Sequence, residues 1–205
     1  MESAPLDPSI VAVPVPIDSA APPPDEPDIA AIDAAAAGPI SPPQATPPTE
    51  PSGWSDPLTG ADGPRFWDRI LASETARARR YSRPATVGLV EVTGLDRLAI
   101  HWGPQVAERV LVAVGRTIAR EVRSSDHLAR IGPGRFAVLL TETNEVAAIN
   151  CFERIRSDCE TGLGPARVDV LIGFGWASPP PKADLRQALE LADKRLAADL
   201  RQSAG

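Results

Sequence analysis

Residues 128–140 read Leu-Ala-Arg-Ile-Gly-Pro-Gly-Arg-Phe-Ala-Val-Leu-Leu, two largely apolar runs separated by a Gly-Pro-Gly tripeptide. Glycine and proline between two such runs are typical of a β-hairpin turn. Proline favours the second position of a turn, and glycine tolerates the positive φ that a type II turn requires at the third. The stretch therefore predicts a two-stranded hairpin whose tip is a type II turn, with Gly134 at positive φ.

The segments on both sides of this hairpin alternate between strand and helix patterns. Residues 87–92 are a short run rich in valine and predict a buried strand. Valine or isoleucine recurs every four residues from Val106 to Val122, which predicts one face of a helix beginning near Pro104. Further strands are predicted at 135–140 and 168–176, and further helices at 146–159 and 182–203 with Asn144 and Asp184 as N-caps. This order predicts an α/β (α+β) fold, a central mixed sheet surrounded by helices.

The first 55 residues have a different composition from the rest of the chain. They contain eight of the 27 acidic residues and none of the 21 basic residues, since the first arginine is Arg65. Proline and alanine make up much of the remainder, so little apolar surface can be buried. We therefore expect residues 1–55 to be a disordered acidic tail and residues 56–205 to be one domain. The net charge of −6 belongs to the tail, and leaves the domain able to bind an anion.

The cysteine, histidine and hydropathy patterns argue against a disulfide, a histidine metal site and a membrane segment. Cys151 and Cys159 lie eight residues apart on one predicted helix, about 12 Å at 1.5 Å per residue, which is too far for a disulfide. The two histidines are isolated, so no metal role is assigned to them. No apolar run has membrane length and no signal-peptide pattern is evident. We expect a reduced, cytoplasmic protein without a nucleic-acid or membrane partner.

The hairpin and its surroundings resemble the GGDEF family, the diguanylate cyclases. The Gly132–Phe136 stretch stands where the family has its signature motif, and Asp56-Pro57-Leu58-Thr59-Gly60 is similar to the family's opening D-x-L-T-G. Residues 88–92 match the first core strand, and Ala192-Asp193 matches the last helix. The resemblance covers residues 56–202, and it implies the GGDEF, nucleotidyl-cyclase-like fold.

The resemblance also implies that the catalytic chemistry has been lost. The family condenses two GTP into cyclic di-GMP with divalent metal held by carboxylates at the strand end and hairpin tip. Here Glu91 keeps the strand-end carboxylate, but Gly134 and Arg135 replace the acidic pair that follows Gly132 in the motif. A cation beside a single carboxylate is a poor magnesium site. We therefore expect no enzyme activity and no cofactor, with Mg²⁺ relevant only to a residual cyclase.

Two further substitutions concern the substrate. Asp96 stands at the position of the family's triphosphate-binding lysine, and Ala99 at that of its guanine-reading asparagine. Glu108 preserves an acidic residue of the nucleotide site. Glu91 and Glu108 are open to a plainer interpretation, which we favour: a strand-end carboxylate and a carboxylate on a solvated helix face. These residues, with Gly132, Gly134 and Arg135, are interpreted as a vestigial active site.

The family's inhibitory site retains its pattern. Arg123-Ser124-Ser125-Asp126 is an R-x-x-D placed five residues before Gly132, and Arg154 matches the further arginine of that site. Arginine can donate to the O6 and N7 edge of guanine, and a carboxylate can accept from N1 and N2. Arg123, Asp126 and Arg154 therefore predict a cyclic di-GMP site, although Asp126 capping a turn is an alternative.

Three functions remain open from sequence. The favoured one is an inactive GGDEF domain that binds cyclic di-GMP, as a monomer or as a homodimer, and relays the signal to an unidentified signalling protein. The alternative is a nucleotide-independent interaction scaffold. A residual diguanylate cyclase, favoured only by Glu91 and Glu108, is the third.

Overall fold

A computed structural model of the chain describes residues 26–36, 51–180 and 184–203. The elements in chain order are α1 (Ile29–Ala35), α2 (Pro64–Tyr81), β1 (Ala85–Thr93), α3 (Leu95–Trp102), α4 (Pro104–Glu121), β2 (His127–Arg130), β3 (Arg135–Thr141), α5 (Glu145–Leu163), a 3₁₀ turn (Gly164–Ala166), β4 (Leu171–Ala177) and α6 (Leu185–Ser203). The α/β class is confirmed. The strand predicted from 168 begins at Leu171, and the helix predicted from 182 begins at Leu185, residue 182 itself lying outside the described residues.

The four strands form one sheet in the order β2-β3-β1-β4. Each neighbouring pair is antiparallel, so the sheet is not the mixed one that was expected. β2 and β3 are the two arms of the predicted hairpin. The register of β1 and β3 places Glu91 directly opposite Arg135, which brings the vestigial residues of two distant segments together.

Helices cover both faces of the sheet because alternate strand residues point to opposite sides. Val87 and Leu89 of β1 face α2 and α6, whereas Val90 and Val92 face α3, α4 and α5. Gly88 lies on the second face, where a Cβ would stand 2.0 Å from the ring of Phe152. The close approach of α5 to the sheet therefore requires glycine at this position.

Short polar side chains begin two of the helices as predicted. Asn144 accepts a hydrogen bond from the Ala147 N–H at 2.8 Å. Asp184 accepts one from the Gln187 N–H at 3.0 Å, and the Gln187 side chain accepts one from the Asp184 N–H. α5 is longer than predicted and continues to Leu163. Each of the two caps directly precedes its helix, α5 at Glu145 and α6 at Leu185.

The tail contains a helix that its composition did not predict. α1 is capped by the Asp28 side chain, and Ile32 is fully buried against the domain. The expectation of disorder for 1–55 is therefore wrong for this segment, because α1 finds its apolar partner in the domain rather than in the tail. Residues 1–25 and 37–50 lie outside the described residues. Among the helices the structure does describe, none combines the length and apolar character that a bilayer crossing needs.

Candidate functional site

The hairpin tip lies directly against the end of β1. The Val92 N–H donates to the Gly134 carbonyl at 2.8 Å, and a Cβ on Gly134 would stand 2.3 Å from the Val92 carbonyl oxygen. Gly134 does not have positive φ, so the predicted type II turn is wrong. Its glycine is required by close backbone approach, which a local turn pattern cannot reveal.

Arg130 ties the tip to the segment that precedes α2. Its buried guanidinium donates to the Asp56 carboxylate at 3.1 Å and to the Pro133 carbonyl at 2.7 Å. Burial lowers the pKa of Arg130, while the neighbouring Asp56 and Glu108 carboxylates act in the opposite direction. Asp56 also accepts from the Thr59 N–H and hydroxyl. This ion pair joins residues 74 positions apart, and sequence reasoning assigned it no role.

The strand-end carboxylate is occupied by the arginine that replaces the motif's acidic residue. Arg135 donates to Glu91 through Nε at 3.1 Å and Nη2 at 2.5 Å, and through Nη1 to Asp193 of α6 at 2.9 Å. A guanidinium therefore sits between two carboxylates, where it can satisfy both by charge-assisted hydrogen bonds. Asp193 was matched to the family in sequence, but its part in this contact was not foreseen.

These residues do not fit a divalent cation. Mg²⁺ needs oxygen ligands around it, and here a positive side chain occupies the space between the two nearest carboxylates. Nowhere in residues 26–36, 51–180 or 184–203 do three or more Asp, Glu, His or Cys side chains form a group that could hold a metal. The Glu91 and Asp193 carboxylates instead belong to an internal ion-pair network with Arg135.

The other vestigial residues have structural contacts. Glu108 is buried in α4 and lies close enough to Arg130 to raise its pKa, so its placement on a solvated helix face is wrong. The Gly132 N–H donates to the Arg135 carbonyl at 3.3 Å within the hairpin turn. The contacts of these residues thus stabilise the hairpin and the segments packed against it. The residues are Glu91, Glu108, Gly132, Gly134 and Arg135.

The R-x-x-D residues lie at the end of α4 beside an open groove of about 770 Å³. Asp126 accepts from the Arg123 N–H at 2.9 Å and from the Thr141 N–H at 3.0 Å, which fixes the turn between α4 and β2. Capping by Asp126 is therefore real. Arg123 is exposed and lines the groove, and its guanidinium has no ion-pair partner among the residues that the structure describes.

Arg154 lies near this turn but outside the residues that line the groove. Its Nε donates to the Glu121 carboxylate at 2.7 Å, and this hydrogen bond raises the pKa of Arg154. Burial raises the pKa of the Cys151 thiol, which also feels the charges of Arg154, Arg123, Asp126 and Glu121. The three predicted ligand residues therefore share one neighbourhood, but only Arg123 and Asp126 line the cavity.

The groove has charged residues that sequence reasoning missed. Arg116 and Arg120 of α4 lie seven and three residues before Arg123 and line the same cavity. Asp62 lies on its other wall, where burial raises the pKa of the carboxyl and the nearby His127 opposes that shift. The spacing of the three arginines, at i, i+4 and i+7, was the signal that could have revealed them.

Comparison with known proteins agrees with this geometry. The family model described as "Diguanylate cyclase, GGDEF domain" matches residues 54–204. The probable diguanylate cyclase DgcC of Escherichia coli K12 is 29% identical over 144 residues, which are 69% of this chain and 39% of that protein. Diguanylate cyclase DosC of the same strain is 30% identical over 145 residues, 69% of this chain and 32% of DosC. The chain thus spans well under half the length of these relatives.

Two solved structures show the same fold. Diguanylate cyclase SiaD of Pseudomonas aeruginosa, in complex with its activator SiaC, superposes with a TM-score of 0.65 at 26% identity, over 72% of this chain and 58% of SiaD. The GGDEF domain of DgcB from Caulobacter crescentus, in complex with cyclic di-GMP, gives 0.68 at 19% identity, over 75% of this chain and 94% of that one.

Proposed function

The chain belongs to the GGDEF domain family, and we propose that its domain is a catalytically inactive receptor for cyclic di-GMP that relays ligand binding to a protein partner. The observation that carries this proposal is the contrast at Arg135 and Arg123. The first guanidinium is bonded to two carboxylates where the family's metal site is expected, and the second arginine lines an open groove.

Loss of turnover follows from charge at the hairpin tip. Condensation of two GTP needs a metal that neutralises the phosphates and activates the attacking hydroxyl. A cation approaching Glu91 would meet the Arg135 guanidinium at a few ångströms, where like charges repel strongly in a partly buried site. Gly134 supplies no replacement carboxylate. The first turn of α3 adds Asp96, whose negative charge opposes a triphosphate.

Binding of the dinucleotide is supported by the charge of the groove. Arg116, Arg120 and Arg123 all line the cavity and contribute three positive charges to its surroundings. Guanidinium groups bind phosphates and the O6 and N7 edge of guanine, and cyclic di-GMP offers two of each. We place Arg154 at the margin of this site, since its present partner is Glu121. The solved complex of DgcB contains this dinucleotide, and the cytoplasm is the compartment in which we expect the receptor to meet it.

Isothermal titration of the full chain with cyclic di-GMP tests receptor function. We expect micromolar binding, and a loss of about tenfold or more in Arg123→Ala because a charge-assisted contact contributes about 1.5–3 kcal/mol. The matched control is Arg97→Ala, an exposed arginine on α3 paired only with the exposed Asp169. Absence of heat at high micromolar ligand, or equal affinity in Arg123→Ala, would overturn the proposal.

Loss of catalysis has its own test. The purified chain incubated with GTP and Mg²⁺ or Mn²⁺ should give no cyclic di-GMP above background by liquid chromatography. Product that disappears in Glu91→Ala would instead identify a residual cyclase. This result is independent of the titration, because a domain could bind the dinucleotide and still make it.

A nucleotide-independent scaffold is the second candidate. It is favoured by the internal contacts of Asp126 and Arg154, which satisfy both side chains without a ligand. The SiaD structure contains a GGDEF protein bound to a protein activator, so a protein partner is common to both candidates. Partner capture by the immobilised chain, with and without cyclic di-GMP, distinguishes them: only the receptor's capture should depend on the dinucleotide.

A further inference from the structure

The groove between α4 and α5 is filled by a segment from the tail of the same chain. α1 packs against both helices and against the Gly164–Ala166 turn that follows α5. Ile32 is its central anchor and is fully buried, and Ala36 is nearly so. Ala35 lies beside Gly162, where a Cβ would stand 3.4 Å from the Ala35 Cβ.

Polar contacts fix the direction and register of α1. The Asp28 N–H donates to the Ala166 carbonyl at 3.0 Å, and the Asp28 carboxylate caps the helix by accepting from the Ala31 N–H at 3.1 Å. One turn past Ile29, Asp33 pairs with Arg109 of α4 at 3.5 Å. The groove therefore offers an apolar socket, one carbonyl acceptor and one guanidinium.

The docked helix is short. Seven residues are well below the roughly 12–15 that make an isolated helix even marginally stable in water. α1 is therefore helical because the groove orders it. Its contact with the domain consists of one fully buried isoleucine, smaller or partly buried apolar side chains, and one exposed ion pair. A covalent tether raises effective concentration to the order of millimolar, which lets a weak contact persist without making it permanent.

We propose that this groove is a recognition site for a short acidic amphipathic helix of a partner protein, and that α1 occupies it in cis until such a helix displaces it. The partner's helix would carry the pattern of α1: an aspartate at the N-cap, a branched aliphatic residue four positions later, and an aspartate directly after that. Its apolar side chain would fill the Ile32 socket and its aspartate would meet Arg109. This proposal does not depend on nucleotide binding at the other end of α4.

The test uses an acetylated, fluorescently labelled peptide of residues 26–37 as the probe and measures anisotropy with the full chain. We expect the peptide to bind the Ile32→Glu chain at least tenfold more tightly than the wild-type chain, whose own α1 competes. Adding Arg109→Glu to Ile32→Glu should weaken peptide binding at least threefold. Arg97→Glu in the same background is the matched charge control and should leave it unchanged. Circular dichroism establishes that each variant is folded.

A second measurement needs no variant. Hydrogen exchange of the wild-type chain should show that the amides of Ile32 to Ala36 lose protection when unlabelled peptide is added in millimolar excess. Unchanged protection, or no peptide binding to folded Ile32→Glu at millimolar concentration, would overturn the proposal. A wild-type dimer that becomes a monomer in Ile32→Glu by sedimentation would also overturn it, because α1 would then occupy a second copy.

Discussion

The hairpin tip and the end of α4 both carry an arginine, yet the surroundings of the two side chains differ. At the tip, Arg135 is held by Glu91 and Asp193, and Gly134 is packed against the Val92 carbonyl. At the end of α4, Arg123 faces an open cavity. The difference teaches that the charge of Arg135 is compensated within the protein, whereas that of Arg123 has no ion-pair partner among the described residues.

The largest expected effect comes from Arg130, which is hydrogen-bonded both to the hairpin tip and to the loop beside the groove. Arg130→Met removes a buried guanidinium bonded to Asp56 and Pro133, so the Asp56 carboxylate is left buried without its partner. We expect the free energy of unfolding to fall by about 3–5 kcal/mol in urea denaturation. Arg97→Met breaks only an exposed pair and should cost less than about 0.5 kcal/mol. Equal losses of unfolding free energy in Arg130→Met and Arg97→Met would contradict the role of Arg130 in supporting both regions.

The closed packing of the tip is tested by one methyl group. Gly134→Ala places a Cβ against the Val92 carbonyl and the Leu95 side chain, so the tip must shift. We expect a loss of about 1–3 kcal/mol in thermal or chemical unfolding. Gly164→Ala is the control, because its Cβ would meet no atom within 4 Å and its backbone is helical at φ −53°. If Gly134→Ala left the free energy of unfolding unchanged, the close packing of the hairpin tip against β1 would be contradicted.

The role of Arg135 at the former metal position can be isolated by removing its charge. Arg135→Met leaves Glu91 and Asp193 facing each other, partly exposed, so stability should change by no more than about 1 kcal/mol. Millimolar Mg²⁺ should then raise the Tm of the variant more than that of the wild-type chain, as measured by differential scanning fluorimetry. An equal response of both proteins would show that Arg135 does not compete with a cation.

The smallest effect concerns the open groove. The pKa of Asp62 is raised by burial, so as pH falls through that raised value its charge is lost and the groove, lined also by Asp126 and three arginines, becomes more positive. Cyclic di-GMP should therefore bind wild-type protein more tightly below the raised pKa of Asp62 than at pH 7. Asp62→Asn should bind about two- to fivefold more tightly at pH 7 and should lose the part of the pH dependence that this carboxyl causes. Weaker binding in Asp62→Asn would instead indicate that this carboxylate contacts the ligand.

The sequence predicted the α/β class, the hairpin and both polar caps because these features depend on local patterns. It placed Arg123 and Asp126 at one helix end for the same reason. It did not predict the conformation of Gly134, because the contact that requires glycine comes from β1. Local turn preferences cannot anticipate a backbone approach from a distant strand.

Long-range polar partners account for the remaining differences. Arg130 precedes the hairpin tip in an apolar run, and its carboxylate partner lies 74 residues earlier. Arg154 was expected to complete a ligand site, and in the structure its guanidinium donates a hydrogen bond to the Glu121 carboxylate. α1 was expected to be disordered because an alanine-rich acidic segment has few apolar residues of its own, and the groove that orders it is built from α4 and α5.

The Arg130 tie also links the walls of the two regions mechanically. The Asp62 carbonyl accepts a hydrogen bond from the Arg130 N–H, and the Ala61 carbonyl accepts one from the Asp56 N–H. The loop of residues 59–62, which forms one wall of the groove, is therefore held by the same arginine that holds the hairpin tip. A ligand that pushes this loop outward must strain those bonds and displace Pro133. Movement of the groove loop and movement of the hairpin tip are therefore opposed by the same residue.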